Sequence, residues 1–377
     1  MKNNIILFNQ VTGPLFIDIA NAYANEYEKV TLITGSIEPT YAELDERINI
    51  VFKTNYKRNK TLSRLITWGL FTFQSFIYLL LRRKVSNVLF VSNPPFIFIL
   101  GSFFSFRKNF VFVILIYDIY PDALSNFGYL KKPFFIFKLW DYFNEKAFKR
   151  SRRIFTISHV MKEVLTRTAS KNKIEVIYPW VDSKFIKPLE KEKNWFLKKH
   201  NLIDKKVVLY SGNMGVTHDL MTVVKVAEVL EKKSNEFHFL FIGDGVQKSK
   251  LINYVMDKRI SNTTFLPYQA PEVLPYSFTS ADYGIVTLGK GAEGLSVPSK
   301  TFYLLAAGIS LIGISEPNSE LNRIIEKYNC GVIFVPESVN AIVNYLLTTS
   351  NDKAQEVSKN SREASYLFTP KNAYEFI

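Results

Sequence analysis

The chain has 377 residues, 47% hydrophobic and 15% aromatic, with a formal net charge of +14, which accommodates two domains with large cores and excludes global disorder. A single cysteine, Cys330, excludes an internal disulfide framework and fits a reducing compartment. Four scattered histidines offer no metal-ligand spacing, so neither a metal nor a cofactor is expected.

In chain order, the apolar run at 5–8 is too short for the core of a secretory signal and reads as a first strand. Gly13-Pro14 leads into a helical stretch over 15–27, then strands at 30–34 and 48–52. Residues 61–81 carry a helical pattern, and its section 68–81 (WGLFTFQSFIYLLL) is almost wholly apolar before Arg82-Arg83-Lys84. Fourteen helical residues span roughly 21 Å, short of the ~30 Å hydrocarbon core. The expectation is therefore a helix lying in the headgroup region. Trp68, Phe71, Phe73 and Phe76 would face the membrane, and Arg82, Arg83 and Lys84 its anionic surface. The stretch between Glu46 and Asp118 supports this, with eleven basic residues and no acidic one. The apolar run at 94–106, closed by Arg107-Lys108, repeats the theme. A core helix with a solvated basic end is the competing reading. No nucleic-acid partner is expected, because the cations flank aliphatic runs instead of lining a polar face.

Strands follow at 88–91 and 110–117, with Asp118 and Asp122 at the mouth of the latter. Each can orient or deprotonate a hydroxyl, or simply bond local backbone. A helix at 133–149 and strands at 153–157 and 174–177 complete the first series. Unbroken apolar strands separated by helices argue for a parallel sheet covered on both faces. The run Tyr178-Pro179-Trp180-Val181-Asp182 breaks the pattern, placing a first domain at 1–183, a second at 184–365, and a last helical segment, 366–377, packing back on the first. The second series has strands at 207–210, 237–242, 264–266, 283–287, 310–313 and 331–335. Helices at 220–232, 247–256, 298–307 and 319–328 alternate with them. Cys330, in an apolar strand pattern, reads as a small buried hydrophobe. Two facing, doubly wound Rossmann-like α/β domains place ligands beyond the carboxyl ends of the strands, in an interdomain cleft.

Glycine-bearing turns follow the strands of the second series. Tyr210-Ser211-Gly212-Asn213-Met214-Gly215 has two glycines three apart, which let backbone approach a ligand. Gly243-Asp244-Gly245 is a second such turn. In Ser296-Val297-Pro298-Ser299-Lys300, proline suits a first helical turn and Ser296 can cap it. The free N–H groups there point outward, and Lys300 adds a full charge for an anion.

These turns, in this order, resemble the C-terminal nucleotide-sugar domain of family 4 glycosyltransferases of the GT-B fold, bacterial members that build surface polysaccharides. Gly13-Pro14, the run Tyr117 to Asp122 and the junction at Tyr178 extend the likeness into the first half. The resemblance implies retaining, metal-independent transfer of a hexosyl or N-acetylhexosaminyl group from a UDP or GDP sugar to a lipid-linked saccharide. It places the chain on the cytoplasmic face of the cell membrane, in O-antigen, capsule or exopolysaccharide synthesis. It also implies donor contacts from Gly212, Asn213, Gly215, His218, Gly243, Asp244, Pro267, Ser296, Ser299, Lys300 and Tyr303, and acceptor contacts from Gly13, Asp118 and Asp122. Catalytic roles fall to Asp118, Glu293 and Lys300. The chain departs from the family pattern at several places. Asn213 and His218 stand where the family has arginine and lysine. Its paired glutamates fall near Leu295 and Tyr303, with Glu293 two positions early, and Tyr117 replaces a frequent histidine. Those departures keep a second class open, a catalytically degenerate GT-B scaffold binding nucleotide-sugar or partner enzymes. A nucleotide-sugar epimerase fits less well with the membrane-seeking half.

Overall fold

The computed structural model describes residues 2–57, 61–82, 84–121, 135–289, 291 and 297–377. The chain forms two compact units, Met1–Tyr178 with Pro370–Ile377, and Pro179–Thr369.

The first unit is built on β1 (Lys2–Phe8), β3 (Tyr27–Thr34), β5 (Asn49–Phe52), β6 (Asn87–Val91), β7 (Val111–Ile116), β8 (Arg153–Thr156) and β9 (Ile174–Val176); β2 (Val11–Thr12) and β4 (Ser36–Ile37) make a small separate pair. The seven-stranded sheet runs β5-β3-β1-β6-β7-β8-β9. Every neighbouring pair is parallel, with Leu7 opposite Leu32 on one side and Leu89 on the other. The central strands are apolar on both faces because helices cover both. Leu7, Phe8, Leu32, Leu89, Phe90, Ile114 and Phe155 are fully buried. Helix α1 (Pro14–Glu26) opens with proline in its first turn, and Gly13 is its N-cap. The Tyr23 hydroxyl donates to Phe376 O at 2.6 Å, which ties the last turn, Pro370–Phe376, to α1.

Helix α2 (Thr61–Leu81) has 21 residues, roughly 32 Å at 1.5 Å per residue. Counting only its densely apolar part understates it: residues 62–81 are long and apolar enough, by length and composition, to cross a membrane. Its packing shows which side belongs to the protein. Trp68, Phe71, Ser75 and Leu79, spaced three or four apart, are buried, as is Thr67 beside Trp68. Gln10 Nε2 donates to Thr67 O at 3.0 Å, and the Trp68 ring stacks parallel to Tyr56. This corrects the expectation that Trp68 and Phe71 face a membrane. The helix is apolar on both sides, and periodicity alone does not say which stripe meets the sheet. Leu62, Ile66, Leu70, Phe73 and Leu80 line the outer stripe and are exposed, Phe73 by 62%. Phe76 is half-buried against Phe103 and Phe104. Arg82 and Lys84 are exposed, with the Arg82 guanidinium 4.5 Å from the Tyr78 ring centroid; Arg83 lies outside the described residues. Arg107 Nη1 donates to Leu79 O at 2.7 Å and so satisfies a carbonyl of the last turn of α2.

The apolar exterior continues over α3 (Ile99–Phe104) and α4 (Phe135–Arg150), which pack on each other. Phe103, Phe106, Phe135, Leu139 and Tyr142 are at least half exposed. Helix α5 (His159–Leu165) is capped by Ser158, whose hydroxyl accepts from Met161 N–H.

The second unit carries β10 (Lys206–Ser211), β11 (Phe237–Ile242), β12 (Thr263–Leu266), β13 (Tyr283–Thr287), β14 (Ser310–Ile314) and β15 (Gly331–Phe334) in a six-stranded sheet, order β12-β11-β10-β13-β14-β15. All five pairings are parallel, with Leu209 opposite Leu240 and Val286 opposite Gly313. Helices α6 (Trp195–Lys199), α7 (Leu220–Glu231), α8 (Lys248–Lys258), α9 (Leu274–Phe278) and α10 (Lys300–Ala307) precede or connect these strands. Val208, Tyr210, Val224, Leu230, Phe239 and Phe241 form the centre of its core. Cys330 is buried there, and burial pushes its thiol up to about 12.

Candidate functional site

The loops after β10 and β11 interlock through backbone. Gly212 N–H donates to Ile242 O at 2.9 Å, and Met214 N–H to Asp244 O at 2.7 Å. Gly212 has φ +143°, and a Cβ there would stand 3.0 Å from Lys300 Nζ. At Gly243, φ +138°, a Cβ would stand 2.0 Å from Gly212 O. Side chains at either place would push the loops apart and fill the space above them.

Into that space comes Lys300, the first residue of α10. The helix begins there and not at Pro298. Its N-cap, Ser299, makes no side-chain capping bond; Thr301 and Phe302 N–H donate instead to Pro298 O at 3.0 Å and Ser299 O at 3.1 Å. Lys300 Nζ is buried without a hydrogen-bond partner and lies 3.7 Å from the Tyr210 ring centroid. Burial lowers its pKa to about 7, since an unpaired ammonium out of water is penalised. Tyr210 is itself held by a 2.5 Å bond from its hydroxyl to Asn213 O.

His218 stands beside the lysine. Its Nδ1 is 2.7 Å from Thr287 O. A carbonyl only accepts, so Nδ1 carries the proton and Nε2 presents a lone pair. Burial, and then the Lys300 charge, lower its pKa to about 4, so the ring is neutral near pH 7. The Asp219 carboxylate caps α7 by accepting from Thr222 N–H at 3.4 Å, and also accepts from the Thr222 hydroxyl at 2.6 Å.

A solvent-open cavity of about 890 Å³ gathers Gly212, Asn213, His218, Ser299, Lys300 and Tyr303, with Ser211, Val297 and Pro298 between them. Leu274 and Phe278 of α9 form its apolar wall, and Tyr303 stacks on Phe278 at 5.1 Å. These two wall residues were not among the expected contacts; the short run Leu-Pro-Tyr-Ser-Phe carries no glycine or charge to mark it. Other expected contacts stand elsewhere. Gly243 backs the pocket without lining it. Gly215 sits behind the Asn213 side chain. The exposed Asp244 carboxylate is occupied by Gly245 N–H, and exposed Pro267 accepts from the Gln269 side chain. Glu293 and Ser296 lie outside the described residues. Among the described lining residues none is acidic, so the pocket is an apolar-walled hollow with a buried base beside a helix N-terminus. That chemistry suits an anion carrying an apolar or ring-bearing portion.

In the first unit, Gly13 leaves open space where a side chain would be. Asp118, exposed just beyond β7, borders a smaller cavity with Asp141, Asn144, Arg167 and Thr168. Surrounding protein raises its pKa to about 6 by desolvation, an effect that water at the exposed carboxyl tempers. Asn144 Nδ2 donates to Tyr120 O at 2.9 Å while its Oδ1 is buried and unpaired. The Tyr117 hydroxyl is also buried without a partner, and burial raises its pKa. Asp122 lies outside the described residues.

Comparison with known proteins agrees with this geometry. Residues 192–366 match the family model of glycosyl transferases group 1. The chain is 27% identical over 301 residues to the putative colanic acid biosynthesis glycosyl transferase WcaI of Escherichia coli K12, covering 76% of this chain and 72% of that protein. It is 23% identical over 275 residues to the probable glycosyltransferase WbjE of Pseudomonas aeruginosa, covering 71% and 68%. Among solved structures, HepE of Anabaena in complex with UDP superposes with a TM-score of 0.75 at 13% identity, covering 100% of this chain and 98% of that one.

Proposed function

We propose that this chain, which has the GT-B fold and whose residues 192–366 match the group 1 glycosyl transferases, is a glycosyltransferase that moves a sugar, with retention, from a UDP or GDP sugar to a lipid-linked saccharide in bacterial surface-polysaccharide synthesis. One observation carries the donor half of this reading. A buried, unpartnered Lys300 Nζ stands at the N-terminus of α10 in a pocket without a carboxylate among its described residues. Negative charge that develops on a departing diphosphate is stabilised by positive groups already in place. A structure of the similar HepE holds UDP-glucose. The relatives' names, which include colanic acid biosynthesis, support a polysaccharide product.

The acceptor half rests on the first unit. The outer stripe of α2 continues over α3 and α4 as an exposed apolar face, and Arg82, Lys84 and Lys108 lie in the same acid-free stretch of chain. Such a face, placed in the headgroup region of an anionic membrane, brings the enzyme to a lipid-borne substrate. Asp118 is the candidate to orient or deprotonate the acceptor hydroxyl.

A second reading, a scaffold that binds nucleotide-sugar without turnover, draws on Tyr303. There an aromatic ring stacked on Phe278 stands where the family has a carboxylate. A thermal-shift screen with UDP, GDP, ADP and their sugars, followed by a transfer assay, separates the readings. Stabilisation with transfer supports the enzyme, and stabilisation without transfer to any lipid-linked saccharide supports the scaffold. No stabilisation by any of them sinks the donor assignment.

A further inference from the structure

We propose that the pocket of the second unit takes up a proton together with its nucleotide-sugar, and that Lys300 Nζ is the atom that receives it. The inference rests on the donor reading above.

The geometry leaves the free amine with almost nothing to support a charge. Its Nζ is out of reach of water and has no hydrogen-bond partner. Around the pocket, β10 presents Tyr210, the loop after it Asn213 and His218, α9 Leu274 and Phe278, and its own helix Tyr303. None of these is a carboxylate. Among the described residues, the acids of the neighbouring loops are engaged elsewhere, Asp219 in capping α7 and Asp244 with Gly245 N–H. The nearby cation Lys248 donates to Gly243 O at 2.8 Å. His218 adds no compensating charge, since its proton sits on Nδ1 against Thr287 O. What remains is the face of Tyr210, and one cation–π contact returns less than the burial of a lone ammonium removes. The penalty wins, in keeping with a pKa near 7 in the free protein.

A nucleotide-sugar changes that balance, because its diphosphate brings two negative charges to an unpaired base. An opposite charge at contact distance favours the ammonium and restores a pKa near the ordinary 10.5. Above pH 7 the occupied pocket therefore holds about one more proton than the empty one. That proton passes from solvent to the Nζ lone pair, and no bond to the ligand forms. The cation that stabilises the leaving diphosphate is thus complete only when the donor is present. A lysine that stays unpaired in the free protein also avoids trapping stray anions above neutral pH.

Isothermal titration calorimetry with UDP-glucose and GDP-mannose, at pH 6 and 8 in two buffers of different ionisation enthalpy, counts the protons. These ligands are phosphate diesters and lack the ionisation near 6 of a phosphate monoester. From a free pKa near 7, uptake should be about 0.9 proton per ligand at pH 8 and about 0.1 at pH 6, with Kd about tenfold weaker at pH 8. Lys300→Arg, which cannot release its proton, should show no uptake and a Kd flat across that range. Measurable binding by the native protein with under about 0.2 proton taken up at pH 8 overturns the inference and leaves the donor reading standing. Uptake that persists in a folded Lys300→Arg moves the proton to another base, His218 first, and overturns the assignment to Lys300. Absence of binding by either ligand at both pH values overturns the donor reading itself, and the inference with it.

Discussion

In the second unit an amine is buried with no partner, whereas in the first unit leucines and phenylalanines stand in water along three helices. Both arrangements cost free energy in the isolated chain, one by desolvating charge and the other by leaving apolar area wet. A protein keeps such costs where a ligand removes them. On the proposed reading, the amine is completed by an anion a few ångströms across and the apolar face by an extended surface. The two regions therefore differ in how they respond to change: substitutions in the pocket act on turnover and pH dependence, and those on the face act on partitioning.

The sharpest break between inside and outside lies within α2 itself. Phe71 is fully buried and Phe73 is 62% exposed, two residues along the same helix. Phe71→Ala should destabilise the fold by about 3–5 kcal/mol in urea titrations. Phe73→Ala should change the midpoint little. Equal losses at the two positions would mean the outer stripe is packed against something within the chain. Next in size, Lys300→Ala should lower kcat/KM for transfer by roughly 2–4 kcal/mol, about 30- to 1000-fold. A variant within threefold of the native enzyme would remove Lys300 from the diphosphate site.

Lys300 also has a signature in the free protein. Its folded pKa is depressed to about 7 from 10.5, so the unfolded chain binds more protons between those values. Native stability should then rise as pH increases from 7 toward 10, relative to Lys300→Met, whose side chain carries no proton. A flat difference between the two stability curves would show that the amine is paired or hydrated after all. On the other side of the comparison, Leu70→Ser with Phe73→Ser should weaken binding to anionic liposomes by at least about tenfold, because each apolar side chain immersed contributes about 1.5–3 kcal/mol. Unchanged binding by this pair would separate the outer stripe from any membrane role.

The two regions also differ in how far their residues could be read before the fold was known. Around the pocket, Gly212 with positive φ and Lys300 at a helix start are local features. Backbone chemistry within a few residues dictates them, and they stand together in the structure as their types suggest. The helix start itself slipped from Pro298 to Lys300, because proline and serine serve equally in a first turn or just before it. Leu274 and Phe278 were illegible, since a short apolar helix becomes a pocket wall only through tertiary placement. On α2 the helix was plain but its orientation was not. Trp68 turns inward to stack on Tyr56, Gln10 bonds the neighbouring Thr67 carbonyl, and Phe71 is buried one turn further along. The strand runs of both sheets were the most legible part, because a strand covered on both faces must be apolar at successive residues, as in Phe239 to Ile242.

The smallest effect on stability belongs to Asp118. Its pKa is raised to about 6 from 3.8 by desolvation, so ionising it opposes folding. The folded chain binds more protons than the unfolded one between those values, and stability contributed by this group falls as pH rises from about 4 to 6. Asp118→Asn should remove that slope and leave a slightly more stable protein at pH 7, by an amount reduced because the residue is exposed to water. Activity should move the other way. If this carboxyl serves the acceptor hydroxyl, Asp118→Asn lowers kcat by about 10²–10⁴-fold and abolishes the acidic limb of the pH–rate profile near 6. A variant that gains stability and keeps both its rate and that limb would make Asp118 a bystander at the end of β7, and the acceptor's base would have to be sought elsewhere in the first unit.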